Sequence, residues 1–246
     1  LDALPRRLRK EPIVEAIWQA RFDNAMGLGD IVPGMLFSAL QKSHPGLQPR
    51  RLPLADIPEA IAKLDPNLRF TPKLLLEEPG GSFLWQVGDR VITLNCRKPY
   101  VGWARFKDAI VELTRIIEGS GQVDPPQRHS LRYIDMLAGE LADDLSVLKV
   151  AMQVGALAVR NRVQLRVEIP EVDCQHVVQV ATEAELRLAG EELTGTVVDL
   201  ETYATEPAET WSAVREQLDN LHDRSKGLFF RQILTEASIQ KLDPEY

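Results

Sequence analysis

Apolar residues recur along the chain in two periods, and the switches between them mark the elements. After Pro12, the residues Val14, Ala16, Trp18, Ala20 and Phe22 fall at every second position. That spacing predicts a strand with one apolar face, and Glu15, Gln19 and Arg21, with Ile13 and Ile17, lie on its other side. Pro33 stands near the start of a short helix carrying Met35, Leu36 and Leu40, which His44-Pro45-Gly46 ends, and one helical turn is read between Ile57 and Leu64. Leu74 to Glu77, then Phe83, Trp85 and Val87, then Ile92, Leu94 and Cys96 predict three strands. Gly88-Asp89 between the last two reads as a two-residue turn, which sets Trp85 opposite Ile92 and Phe83 opposite Leu94. From Trp103 the period lengthens. Trp103, Phe106, Ile110, Leu113 and Ile117 share one helical face, with Lys107, Asp108, Glu112 and Arg115 turned to water.

The second half reads in the same order. His129 to Met136 is a strand, Leu141 to Leu157 a helical region, and Val163, Leu165, Val167 and Ile169 alternate with Gln164, Arg166 and Glu168. Strands follow at Cys174 to Ala181, Ala184 to Leu188 and Gly195 to Ala204, and a second tryptophan helix carries Trp211, Val214, Leu218 and Leu221. The expected fold class is therefore α+β, in two similar β-α-β(n)-α halves over residues 1–124 and 125–246, with antiparallel sheets backed by helices. The preferred picture fuses the two sheets into a pseudo-twofold saddle like that of the TATA-binding-protein fold. Leu1 to Lys10, with Arg6, Arg7, Arg9 and Lys10, is read as a basic arm.

Composition narrows the function classes. The chain has 246 residues, of which 44% are hydrophobic, enough for a core of ordinary size, and no apolar run reaches bilayer-spanning length. A soluble, cytoplasmic protein without membrane contact is expected. A net charge of −7 repels polyanions at long range and weighs against general nucleic-acid binding. The two cysteines, Cys96 and Cys174, fall in strands and are expected to be reduced and buried.

Short motifs for chemistry are missing from the sequence. The four histidines show no close metal spacing, Gly27-Leu28-Gly29 lacks the residues of a phosphate cradle, and no Gly-x-Ser-x-Gly elbow occurs. Cys174 and His176 share a strand face and offer two soft ligands, but a buried structural pair is the preferred reading. His222 is read as a surface or cap residue rather than a base. No metal, cofactor or catalytic residue is predicted. Glu15, Arg21 and Arg132 form a polar set expected near the pseudo-twofold axis, whose simplest meaning is an ion-pair network across the sheet.

Pro12-Ile13-Val14-Glu15-Ala16 with Arg21-Phe22, then Arg132-Tyr133-Ile134-Asp135, then Leu221-His222 leading to Phe229-Phe230 and Leu234-Thr235 span nearly the whole chain. Together they resemble a sporadically distributed prokaryotic family of proteins of about this length, for which no activity is established. The resemblance departs at Asp135, where asparagine is expected, and it carries over no catalytic residue. A patchy distribution implies a mobile or defence-associated role. The expected function is a non-catalytic protein-interaction or sensor subunit, defence- or toxin–antitoxin-associated, that meets another protein through Glu15, Arg21, Arg132, Tyr133, Arg6 and Arg7. The alternatives are a hydrolase or nuclease built from Glu15, Arg132 and a histidine at the junction of the halves, and a nucleic-acid binder gripping a duplex in the saddle.

Overall fold

The computed structural model describes residues 3–23, 28–57, 68–139, 141, 144–188 and 191–246. Most of the turn expected between Ile57 and Leu64 lies outside the described residues.

Nine strands form one antiparallel sheet. In chain order they are β2 (Ile13–Arg21), β3 (Gln48–Arg51), β4 (Leu74–Glu77), β5 (Phe83–Val87), β6 (Val91–Arg97), β7 (Arg128–Ala138), β10 (Gln164–Pro170), β11 (Cys174–Leu188) and β12 (Glu191–Ala204). Across the sheet the order is β10-β11-β12-β7-β2-β6-β5-β4-β3. The long central strands β2 and β7 pair directly, Ile17 opposite Arg132 and Ala20 opposite His129, so the two halves share one continuous sheet. Outward from this seam the order reads β2-β6-β5-β4-β3 on one side and β7-β12-β11-β10 on the other.

One face of the sheet is apolar, and the alternation that makes it so is plainest in the central strand β2. Trp18, Trp85, Leu94 and Leu131 turn to that side and are almost fully buried. Against them lie α1 (Leu28–Leu40), α2 (Trp103–Gly119) and α3 (Trp211–Leu228), whose buried Leu36, Ile110, Leu113 and Val214 join the same cluster. Trp103 and Trp211 are each the first residue of their helix, and Thr210 caps α3 by accepting from the Ala213 amide at 3.1 Å. A second apolar cluster gathers Leu137, Val178, Val198, Phe229 and Ile239 under the C-terminal end of α3 and the short α4 (Glu236–Lys241).

Four expectations need correction. The hairpin β5–β6 pairs Trp85 with Leu94 and Phe83 with Cys96, two residues away from the expected register. The turn is Gly88–Val91 rather than Gly88-Asp89, closed by the Gly88 amide on the Val91 carbonyl at 2.8 Å. Glycine serves close approach there, since a Cβ on Gly88 would fall 2.3 Å from the Thr71 carbonyl oxygen. A shift of two leaves every side chain on its expected face, which is why the burial pattern survives.

The stretch Leu141 to Leu157 is not a helix. It holds a 3-10 turn at Leu145–Val147 and the small hairpin β8 (Met152–Val154) and β9 (Leu157–Val159). Asp144 accepts from the Ser146 amide at 2.8 Å, a local side-chain bond that competes with helix. Gly155 takes φ +61° in the hairpin turn.

The separate strands expected at Cys174 to Ala181 and Ala184 to Leu188 are one strand, with a register shift between Ala181 and Ala184. The basic arm is held rather than free. Its β1 (Arg7–Leu8) pairs with β13 (Pro244–Glu245), so the N-terminal residues assigned to the first half are clasped by the end of the second. Leu8 is buried in the second cluster.

Candidate functional site

The six residues expected to meet a partner fall on opposite faces of the sheet. Glu15, Arg21 and Arg132 lie on the face away from the helices. There Arg132 donates through Nε and Nη2 to the two Asp199 carboxylate oxygens at 2.7 and 2.5 Å. Arg128 reaches Glu201 at 2.8 Å, and Arg21 comes within 3.9 Å of the same carboxylate. Asn95 donates to Glu15 at 2.9 Å. Three arginines thus meet two carboxylates, Asp199 and Glu201, while Glu15 is held by an amide. Basic residues elsewhere are paired in the same way, Arg50 and Arg97 with Glu77 and Lys107 with Asp219.

Tyr133, Arg6 and Arg7 are on the helix side, in the wall of a cavity of about 590 Å³. The cavity sits where β7, the arm, the Lys98–Trp103 loop and the end of α3 converge. Its position follows from two irregularities. In β2 the register shifts between Ile13, opposite Asp135, and Glu15, opposite Ile134, so Val14 is the extra residue of a β-bulge. The bulge brings Ile13 to the cavity wall, not to the polar face where its period places it. At the end of α3, Phe229–Ile233 wind as a π-turn closed by the Leu234 amide on the Phe229 carbonyl at 2.9 Å, which sets Phe229 and Phe230 into the lining.

The walls are aromatic. Trp103 stacks on the His222 ring at 4.2 Å with 3° between planes, and its Nε1 donates to Asp219 at 3.0 Å. Tyr133 stands 2.9 Å from His222 Nδ1 through its hydroxyl, and Tyr100 meets Tyr133 edge-on at 6.2 Å. His222 is thus a half-buried wall residue, a correction to its reading as a surface or cap residue; helical spacing alone does not reveal that Trp103 covers it.

The electrostatics are those of a donor-rich site. Among the described residues the lining carries Arg6, Arg7, Arg9, Lys98 and Lys226 against Glu11 and Asp135. Asp135 is 2% exposed, and its Oδ1 has no hydrogen-bond partner. Burial raises its carboxyl well above the usual range, with repulsion from Glu11 and Asp199 adding to it. A carboxyl group kept neutral donates a hydrogen bond instead of repelling an anion. Burial, and then Tyr100, pushes the Tyr133 phenol far up, so it too keeps its proton. Burial and the charge of Lys226 push His222 down to about 4, which leaves its ring neutral. Lys226 itself is lowered by burial.

Sequence reasoning found Tyr133, Arg6 and Arg7 but did not bring them together. It missed Trp103, His222, Lys226 and Asp135 as lining, although Asp135 stood out as the departure from an expected asparagine. Glu15 and Arg132 do not meet a histidine. His129 bonds Gln217 at 2.8 Å, His176 bonds Thr202 at 2.8 Å, His222 bonds Tyr133, and His44 lies 3.3 Å from Glu78, all on the helix side. Three of the four tryptophans are core, as expected, and both cysteines are free and buried. No family model and no curated protein matches this chain. Among the described residues no helix is long and apolar enough to cross a membrane.

Proposed function

We propose that this protein is a non-catalytic sensor subunit whose cavity binds a small anion with a planar aromatic part, and which reports occupancy to a protein partner. The observation that carries the reading is the lining itself, in which Arg6, Arg7, Lys98 and Lys226 stand with Glu11 and Asp135 between aromatic walls, Arg9 already holding Asp243 and Glu245. Of the lining acids, Asp135 is buried with its carboxyl raised well above the usual range, which favours its uncharged, hydrogen-bond-donating form. Volumes of this order suit a drug-sized or nucleotide-sized molecule. The arm is the natural route to a partner, because Arg6 and Arg7 line the cavity while Arg7 pairs with the C-terminal strand. A ligand that draws on these arginines acts directly on the clasp.

We further propose that the halves descend from a duplication and form a saddle. The matched strand order on each side of the β2–β7 seam supports this, as does a tryptophan at the first position of α2 and of α3. The hairpin β8–β9 takes the place of α1 in the second half. Cytoplasmic location and a defence-associated role are part of the same proposal and rest on composition and on the family resemblance. The nucleic-acid reading is weaker, because the arginines of the face away from the helices already hold carboxylates.

Native mass spectrometry of the protein captured from its host tests the proposal. One bound small anion per chain, together with a stoichiometric protein partner, is expected, and Lys226→Glu should lose the anion while keeping its fold. Nucleic acid released by salt, or turnover of a substrate, would overturn it.

A further inference from the structure

We infer that Glu171, Cys174 and His176 form a binding site for a single divalent cation with a preference for zinc. The three lie at the β10–β11 hairpin, beside α3, whose Arg224 reaches Glu171. Cys174 and His176 are two apart on β11 and share its helix-side face, and Glu171 comes from the turn, whose amide bonds the Cys174 carbonyl at 2.9 Å.

Taking one donor atom from each residue, the three lie within 4.8 Å of one another. Cys174 Sγ is 3.7 Å from His176 Nε2 and 3.8 Å from Glu171 Oε2, and His176 Nε2 is 3.6 Å from Glu171 Oε1. Zinc bonds of about 2.0–2.1 Å to nitrogen or oxygen and about 2.3 Å to sulfur put tetrahedral neighbours about 3.3–3.6 Å apart. Closing the triad on an ion takes a turn of the Glu171 carboxylate that brings one oxygen to both neighbours, or binding through both oxygens. One thiolate, one imidazole and one carboxylate is a zinc-type donor set, and three protein ligands leave a fourth position for water.

The surroundings orient the ligands. Thr202 Oγ1 lies 2.8 Å from His176 Nδ1. With Nδ1 as the donor in that bond, Nε2 keeps its lone pair facing the thiol and the carboxylate, which is the usual outer-shell arrangement of a metal-bound histidine. Cys174 and His176 are almost fully buried, while the Glu171 side chain is one-third exposed and opens the way in. Without a cation, Arg224 of α3 supplies the positive charge. Its guanidinium reaches Glu171 Oε2 and Asp173 Oδ1, both at 3.1 Å. Binding breaks the Cys174 S–H bond, forms a sulfur–metal bond and sends one proton to solvent, while Arg224 gives up Glu171 and keeps Asp173.

Titration of the reduced full-length chain with cobalt(II) chloride tests the site. Thiolate-to-cobalt absorption in the near ultraviolet and strong visible bands should saturate at one equivalent and vanish when zinc is added. Cys174→Ser should abolish the ultraviolet band, and Cys96→Ser should leave it intact. Thr202→Val should weaken binding about 10–100-fold, and Arg224→Gln should tighten it about three- to tenfold by removing a nearby like charge. Glu171→Gln tests the site without disturbing the core, because the residue sits in an exposed turn, and should weaken binding at least about tenfold. The inference is overturned by a titration that never saturates, by a band that survives Cys174→Ser, or by unchanged affinity in Glu171→Gln.

Discussion

Asp135 and His222 line the same cavity and respond to pH with opposite signs. His222 has a folded pKa of about 4, below its unfolded value, so the unfolded chain binds the extra proton. Its contribution is complete above roughly pH 6.5 and is lost as the pH falls toward about 4, up to about 3 kcal/mol in all. Asp135 is raised, so its contribution is complete below roughly pH 4 and is lost as the pH rises toward its folded value. Denaturant unfolding across this range should therefore show His222→Gln flattening the acid-side loss. Asp135→Asn should raise stability at pH 7, because it keeps the shape and removes the cost of neutralising, on folding, an acid that is charged in the unfolded chain. A less stable Asp135→Asn protein would mean that the carboxyl has a partner its environment does not reveal. On the opposite face, a double-mutant cycle between Arg132→Gln and Asp199→Asn should give a coupling of about 1 kcal/mol, modest because the arginine is one-third exposed.

At the level of elements, the clasp of β1 on β13 makes the arm part of the fold. Leu8 is 5% exposed among Leu228, Phe230 and Leu242. Leu8→Ala should cost about 2–3 kcal/mol, the lower part of the range for buried leucines because the site is peripheral, and a change below about 0.5 kcal/mol in equilibrium unfolding would show the clasp to be loose. Elements with an unbroken period were legible in the sequence. The strand from Val14 to Phe22 and the two tryptophan helices hold because burial on one face imposes the spacing. The hairpin kept its faces and lost its register, since Gly88 answers to the Thr71 carbonyl, a contact distant in sequence. Leu141 to Leu157 misread as helix because Leu141, Leu145, Val147 and Leu148 join a cluster with residues of α3 and α4 while Met152, Val154 and Leu157 stand exposed in a hairpin, a split that a local pattern does not report.

The whole molecule separates two surfaces that a list of polar residues runs together. The alternation that placed Glu15 and Trp18 on opposite faces was legible, whereas the ion pairs were not, because their acids Asp199 and Glu201 come from β12 and Glu15 is held by Asn95. The cavity was not, because it needs a bulge at Val14, a π-turn at Phe229–Ile233 and the arm folded over both. Each of these is a departure from periodicity, and each brings in residues from segments more than a hundred positions apart. The central claim is that this cavity, and not the opposite sheet face, binds an aromatic anion. Isothermal titration with 2-naphthalenesulfonate tests it most directly. The account predicts one saturable site, weakened at least about tenfold, or about 1.4 kcal/mol, by Lys226→Glu and unchanged by Arg21→Gln. No saturable binding at millimolar probe, or binding that Arg21→Gln abolishes and Lys226→Glu leaves intact, would contradict it.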